Sequence, residues 1–421
     1  MPRRTLSVLH LSTGDYDGGA FRAAFRLHEA LQDIGIGSRM RVQRKSRDDH
    51  SISNGGGRLA SLRNGCTALL DRLPLTLYRS RSAAPYGVQW IGSCSASAVA
   101  RTDADIIHLH WLGGGFLSIG ALKELGRPLV WTMHDMWPFT GGCHYDQGCG
   151  RYADSCGACP VLGSRTSFDL SRWVWSRKHH SWRGLPMALV APSAWLAGCA
   201  RSSSLFRGWP VRIIGNPLDT AVFRPIEKAC ARACLGIDQD RRVILFGGVN
   251  PVSFSNKGFG ILLESMKIAR RSWTDMDYEL IVFGCSEPEE ALPEEINIRF
   301  IGYLNDEISL AILYNAADVM VVPSFQESFC QTAAESLACG TPVVAFDSTG
   351  VRDVVDHKIN GYLARPYEVE DLTHGMRWVL SGGAQNELSR HARQKAVEHF
   401  SRHKIAKEYA ELYHEVLDHG Q

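Results

Sequence analysis

Short, nearly continuous apolar runs recur along this chain, with helical stretches between them. Residues 6–12, 105–111, 128–134 and 188–193 are such runs in the first half, and 243–249, 279–284, 318–323 and 342–346 follow in the second. Apolar on both faces, they read as buried strands of a parallel sheet rather than half-exposed antiparallel ones. Between them lie patterns with helical spacing, such as Phe21, Ala24, Leu27 and Leu31. Strands alternating with helices, twice over, predict α/β architecture with two Rossmann-like, doubly wound domains. A length of 421 residues suits two domains. The expected boundaries are 1–212, 213–400, and a final helix over 401–421 that packs back toward the first domain; the seam falls in VRIIGNP (211–217). Tandem domains of this kind face each other across a ligand cleft at the carboxyl ends of their strands.

With 45% hydrophobic and 21% charged residues, the chain reads as soluble and globular. No run approaches the ~20 apolar residues of a spanning helix. The opening MPRRTLSVLHLST lacks the length and cleavage site of a signal peptide. A cytoplasmic protein is expected, its twelve cysteines reduced or bound to metal. Charge is unevenly spread. Residues 1–210 hold 25 Lys and Arg against 14 Asp and Glu, a balance of +11, and residues 211–421 hold 21 against 30, a balance of −9. A basic half points to an anionic partner, nucleic acid or a membrane surface. Within it, residues 58–81 set Leu59, Leu62, Leu69, Leu70, Leu73 and Leu77 at helical spacing among Arg58, Arg63, Arg72, Arg79 and Arg81. That pattern suits a helix lying in an anionic membrane interface, or one packed on its own domain with a solvated basic face.

The string ESFCQTAAESLACGTPVVA sets Glu327 in a loop after the strand VVP, and Glu335 eight positions on in the helix that follows. The helix start offers backbone N–H groups and a dipole to a phosphate. Amides for a diphosphate and two carboxylates for hydroxyls suit a sugar nucleotide. Lys257 follows the strand at 243–249 in a Lys-Gly loop. Gly18-Gly19 lies between a strand and a helix and permits close approach to a ligand, with Asp15 and Asp17 flanking it. His134 closes the strand PLVWT. His108 and His110, in DIIHLHW, are expected to point to opposite faces, and His110 is an acceptor-side candidate. Cys143, Cys149, Cys156 and Cys159 form C-x5-C-x6-C-x2-C in a Gly-rich loop, the composition of a structural zinc site. His144 could replace one of the four.

The two spaced glutamates resemble the E-x7-E signature of retaining GT-B glycosyltransferases, in particular family 4. The stretches NPLDTAVFRP and ACGTPVVAFDSTGVRDVVDHKINGYLARPYEVEDL are similar to that family's pattern. The opening LHLSTGDYDGGAFRAAFRLHEAL, the block TMHDMWPFTGGCHY and the cysteine cluster resemble its bacterial exopolysaccharide and colanic-acid-type members. The resemblance implies that Glu327 contacts the donor sugar, that Phe329, Cys330 and Gln331 offer amides, and that Glu335 holds the ribose. It implies Lys257 at the donor diphosphate, His134 near the reacting centre, and Gly18-Gly19 close to the diphosphate or acceptor. The arginine that many members carry before the lysine is absent from GGVNPVSFSN. A UDP-sugar or GDP-sugar donor and a glycan or lipid-linked acceptor follow, with no metal expected for the chemistry and no nucleic-acid partner. The cytoplasmic face of the membrane is a possible location. The rival expectations are a sugar-nucleotide 2-epimerase on the same fold, and a nucleic-acid-binding protein that uses the basic half and a zinc knuckle.

Overall fold

Apolar runs with no polar face must be covered on both sides, and a parallel sheet flanked by helices does this. The computed structural model describes residues 6–16, 18–289, 291–381 and 385–419. It divides into two units: Met1–Pro217 together with Ile405–Gln421, and Leu218–Lys404.

The first unit carries β1 (Ser7–Gly14), β2 (Gly37–Arg44), β3 (Ile52–Ser53), β4 (Ile106–Leu109), β5 (Leu129–Thr132), β6 (Met187–Ala191) and β7 (Val211–Ile213). They form one parallel sheet in the order β3-β2-β1-β4-β5-β6-β7. The second unit carries β8 (Arg242–Gly247), β9 (Tyr278–Phe283), β10 (Ile298–Gly302), β11 (Val319–Val322), β12 (Val343–Phe346) and β13 (Gly361–Ala364). Their order, again all parallel, is β10-β9-β8-β11-β12-β13. Both sheets are doubly wound. Strand order reverses between β1 and β4 in one and between β8 and β11 in the other, and ligands of such folds sit at these switch points.

Each apolar run became a strand. The strands that sequence reading missed are β2, β3, β7, β10 and β13. In β2, GSRMRVQR, arginines alternate with buried positions, so charge hides the strand. In the first unit, Val8, Ile106, Val130 and Val190 pack against Ile405, Ala406, Tyr409, Leu412 and Tyr413 of the helix Arg402–His419. Two phenols of that helix also enter the polar interior. Tyr409 Oη lies 2.7 Å from Thr132 Oγ1, and Tyr413 Oη 2.7 Å from His108 Nδ1.

Residues 57–77 form the helix Gly57–Arg72 and a 3-10 turn, Leu73–Leu77. Its inner side is tied down: Asn64 Nδ2 donates to the Gln43 carbonyl at 2.9 Å, and the Trp90 indole to the Leu70 carbonyl at 3.1 Å. The leucines on the other side stay in solvent, with Leu62 66%, Leu69 73% and Leu77 82% exposed. The side chains of Arg58 and Leu59 lie outside the described residues.

Asp318 heads β11 and fixes it to β8. Its carboxylate accepts from the Val243 N–H at 2.7 Å, pairs with Arg232 at 2.6 Å and takes Lys228 at 2.7 Å. Asp318 and Arg232 are both buried. Removing one member of a buried pair strands the other charge, at a cost of about 3–5 kcal/mol. Asp318→Ala is therefore expected to lower unfolding free energy by about that amount in urea melts, whereas a change within 0.5 kcal/mol would contradict the anchor.

Candidate active site

Two loops leave the switch point of the second sheet, one after β8 and one after β11. The first ends in a 3-10 turn, Ser255–Lys257, closed by Gly258 at φ 74°. A side chain at Gly258 would put its Cβ 2.0 Å from the Pro323 carbonyl oxygen, so only glycine lets the turn approach the end of β11 this closely. Asn256 then clasps the second loop. Its Nδ2 donates to the Gln326 carbonyl at 2.7 Å, its Oδ1 accepts from the Gln326 N–H at 3.2 Å, and its own carbonyl accepts from the Phe325 N–H at 2.9 Å.

This clasp sets Lys257 Nζ 2.7 Å from Glu327 Oε1. Glu327 is buried. Its N–H donates to Thr349 Oγ1 at 3.1 Å, and its carbonyl accepts from the Gly350 N–H at 2.8 Å. Burial pushes the Lys257 amine down, but the Glu327 carboxylate, the nearby Cys330 sulfur and the hydrogen bond to Glu327 outweigh it and hold it above its usual range. The ammonium is thus secure at any physiological pH.

Cys330 caps the helix Gln331–Ala338 from the left-handed region, φ 84° and ψ 82°, and makes no side-chain cap bond. A non-glycine residue there stores strain of about 1–3 kcal/mol. Its thiol is buried and pushed up to about 12, by burial first and then by Glu327. Phe329 beside it is buried, its ring edge-on to Phe400 at 5.2 Å. Gln331 opens the helix and Glu335 follows one turn on. Glu335 is buried and accepts from Tyr314 Oη at 2.9 Å. Lys257, Glu327 and Cys330 are therefore together at one switch point, with Glu335 inside the adjoining helix. Asn256, Thr349 and Tyr314 went unread in the sequence.

The first unit has its own cluster at its switch point. Gly18, at φ 121°, caps the helix Gly19–Asp33 and makes no side-chain cap bond. Asp17 lies outside the described residues. Asp15 is fully buried, and its carboxylate accepts from the backbone N–H groups of Ser46 at 2.9 Å and Arg47 at 3.0 Å. These bonds anchor the loop after β2 to the end of β1.

His134 follows β5 and is partly exposed. Its Nε2 lies 3.0 Å from Nδ1 of His110. Burial lowers His134 to about 4, against the pull of Asp135. Asp135 accepts from His144 at 2.6 Å, the Trp111 indole at 2.9 Å and the Trp137 N–H at 2.8 Å. His134, Asp135, Trp111 and His144 line one small cavity with His110. The expectation that His108 and His110 face opposite ways is corrected: their rings lie 4.2 Å apart on one side of the sheet. Strand alternation has a period of two, so residues two apart share a face. His110 is buried and bonded to a histidine on either side, and it lines the cavity beside His134.

The cysteine loop does not have the geometry expected of it. Among the described residues, three His, Cys, Asp or Glu ligand atoms lie within 4.8 Å of one another only at His10, His108 and His110. A tetrahedral thiolate site sets its sulfurs about 3.8 Å apart, so Cys143, Cys149, Cys156 and Cys159, as arranged, do not fit one zinc. The loop meets its polar needs by other means. Cys156 Sγ accepts from the Gly141 N–H at 3.1 Å, Asp146 accepts from Gly148 at 3.1 Å and Gly150 at 3.0 Å, and Asp169 accepts from the Cys159 N–H at 2.8 Å. Burial pushes the thiols up, Cys143 far above its usual range and Cys156 to about 12. Lys178, fully buried beneath them, donates to the carbonyls of Trp137 and Thr140.

Comparison with known proteins bears on the family and the fold. Residues 230–399 match the family model described as glycosyl transferases group 1, and residues 18–222 match glycosyltransferase family 4. An uncharacterized glycosyltransferase of Methanocaldococcus jannaschii is 31% identical over 44% of this chain and 48% of its own length, so the match spans about half of that relative. A D-inositol 3-phosphate glycosyltransferase of Thermobispora bispora is 30% identical over 76% of this chain and 74% of its own. The crystal structure of Anabaena HepE in complex with UDP and glucose superposes with a TM-score of 0.62 at 17% identity, over 97% of this chain and 99% of that one.

The buried histidines carry a pH signature. His28 and His134 are each lowered from an ordinary 6.5 to about 4, by burial in both cases. The unfolded chain takes up protons below about pH 6.5 while these two folded sites do not, so stability is full above that pH and is lost as pH falls toward 4. Going from pH 7.5 to 5.5 should remove about 1.4 kcal/mol per site, about 3 kcal/mol for the two. Urea melts at the two pH values check this, and equal stability would contradict it.

Proposed function

This chain belongs to glycosyltransferase family 4, and on that footing we propose that it moves a hexose from a nucleoside-diphosphate sugar to a glycan or lipid-linked glycan, with retention, in the synthesis of a surface polysaccharide. The observation that carries the proposal is the Lys257–Glu327 pair at a switch point, 2.7 Å apart, beside the start of the helix Gln331–Ala338. In this reading the donor diphosphate takes the helix start and Lys257, Glu327 aligns the sugar hydroxyls, and Glu335 holds the ribose. Charge builds on the departing phosphate as the glycosidic bond breaks, and an ammonium already fixed in place stabilises it without reorganising. The leaving phosphate takes the proton of the acceptor hydroxyl on the same face of the sugar, and His134 orients the sugar. A uridine nucleotide is the first choice of donor, since a protein of the same fold is seen with UDP and glucose; a GDP-sugar is second.

In the same reading the acceptor is met at a membrane. No helix among the described residues is long and apolar enough to cross one. The helix Gly57–Arg72 and the turn after it instead offer Leu62, Leu69, Leu70, Leu73 and Leu77 to solvent, with Arg63, Arg72, Arg79 and Arg81 alongside. Apolar side chains rimmed by arginines suit an anionic bilayer surface.

Saturating UDP or its sugar, at about 100 times its Kd, should stabilise the protein by about 2.7 kcal/mol, and Glu335→Ala should abolish the effect. Stabilisation by no nucleotide would overturn the donor site. Lys257→Ala should lower kcat about 100- to 1,000-fold. Free UDP should appear only with acceptor present; release without it would favour the epimerase. Flotation with anionic liposomes should carry the wild-type protein to the top, and a Leu69→Ser, Leu77→Ser double variant should stay behind. Equal flotation of the two would reject this helix as the membrane contact.

A further inference from the structure

The cavity of the first unit is lined in part by a strained glutamine. Gln89 is only 2% exposed, and its side-chain amide makes no hydrogen bond among the described residues. Its backbone sits in the left-handed region, at φ 48°. Bonds on either side hold it there. The Ile119 N–H donates to the Gln89 carbonyl at 3.0 Å, the Trp90 N–H to the buried Asp71 at 3.1 Å, and the Gly87 N–H to the Gly142 carbonyl at 2.8 Å. A buried amide left unpaired costs free energy, and backbone strain of this kind collects at ligand sites.

A second unpaired polar atom belongs to the same cavity. Burial pushes the Asp135 carboxyl up, but His144, the Trp137 N–H and the Trp111 indole outweigh it and hold it below the usual carboxylate range. An ionised carboxylate only accepts. His144, 2.6 Å away, must then carry its proton on Nδ1. Its Nε2 has no hydrogen-bond partner among the described residues. In the neutral ring that nitrogen is an acceptor, a tautomer set by the bond its other nitrogen makes. The backbone of Gly87 lies outside the left-handed region and does not itself ask for glycine. A Cβ there would stand 2.8 Å from the Trp137 indole nitrogen and 3.5 Å from His144 Nε2. A side chain would displace the first and cover the second.

The chemistry of the lining selects the kind of group that enters. Asp135 is its one acid, already served by three donors, and no lysine or arginine joins it. A phosphate or a carboxylate would find no countercharge there. Leu112, Trp131, Trp137 and Pro138 supply apolar walls. Apolar walls with a few convergent polar atoms make a binding site. An amide that donates and accepts, beside an imidazole that accepts, suits uncharged hydroxyl groups.

We propose that Gln89 and His144 bind an uncharged, hydroxyl-bearing part of the sugar acceptor in this cavity. His144 Nε2 accepts from one hydroxyl, and the Gln89 amide bonds a second. The donor sugar shares this chemistry, but Glu327 is read as serving its hydroxyls, and the inference rests on that reading.

The test is an NMR titration of the full-length, 15N-labelled protein. The probes are methyl glucoside, methyl galactoside, methyl mannoside and methyl N-acetylglucosaminide, each with and without UDP. At least one glycoside should move the signals of both the Gln89 side-chain amide and His144 Nε2, and inorganic phosphate should move neither. Gln89→Gly suits the left-handed backbone, and it should weaken that binding about three- to tenfold. His144→Phe should do the same. His144→Gln, whose amide reaches the place of Nε2, should recover most of the affinity. UDP affinity should be unchanged in all three variants. Should His144→Phe fail to fold, Gln89→Gly decides alone. If no glycoside moves either signal, or if one binds equally well to wild type and variants, the proposal is overturned. A response to UDP-glucose alone overturns it too, since the cavity would then take the donor sugar. Should UDP have no effect on the protein, the donor site is what fails, and the titration without UDP still decides the acceptor cavity.

Discussion

An ammonium and a carboxylate 2.7 Å apart join the loops that leave β8 and β11. The surrounding chemistry is arranged to keep them there. Gly258 lets one loop come within touching distance of the other, Asn256 laces them with three hydrogen bonds, and Thr349 and Gly350 hold the backbone of Glu327 from a third side. Neither charge can be removed without stranding its partner in a poorly solvated place, where the cost rises well above that of a surface pair. A cation bound this way is rigid before any anion arrives. Rigidity of that kind is what electrostatic catalysis asks of a site.

The two units answer the same topological problem with different chemistry. In each, strand order reverses between neighbouring strands, and the loops leaving those strands diverge and open a space. The second unit fills the rim of that space with an ion pair. The first fills it with neutral imidazoles, an Asp135–His144 pair and the indole of Trp111. A set of buried histidines is tolerable inside a sheet only if nearly every ring nitrogen finds a partner. His108 does so through Thr132 and Tyr413, and His28 through Ser38 and Ser51.

Much of the fold was legible because a parallel strand covered on both sides writes its own signature, a short run with no polar face. The strands that escaped are those without it. Arg39, Arg41 and Arg44 disguise β2, a half-exposed strand, and β3 and β7 are too short to stand out. The glutamate pair was legible because a loop residue and a helix residue of fixed separation carry a recognisable string around them. Their supports were not. Asn256 meets Gln326 across 70 positions, Thr349 meets Glu327 across 22 and Tyr314 meets Glu335 across 21, and no local pattern announces such contacts. Two readings of the sequence are corrected for physical reasons. Residues two apart on a strand share a face, which brings His108 and His110 together. Cysteine spacing along a chain is not sulfur spacing in space, and no three of the four sulfurs come within 4.8 Å of one another.

The helix Arg402–His419 lays Tyr409 and Tyr413 into the polar interior of the first unit, although the whole second unit lies between them and the rest of that unit in the chain. This has a consequence for the order of events during synthesis. The first sheet can emerge from the ribosome and pair its strands early, but Val8, Ile106 and Val130 share their cover between the helix Gly19–Asp33 and the last helix, and His108 has no partner for its Nδ1 until that last helix is made. The second unit, contiguous in sequence, has no such wait. The part translated first is thus the part completed last, and in the interval its half-covered sheet is the surface that a chaperone would have to shield.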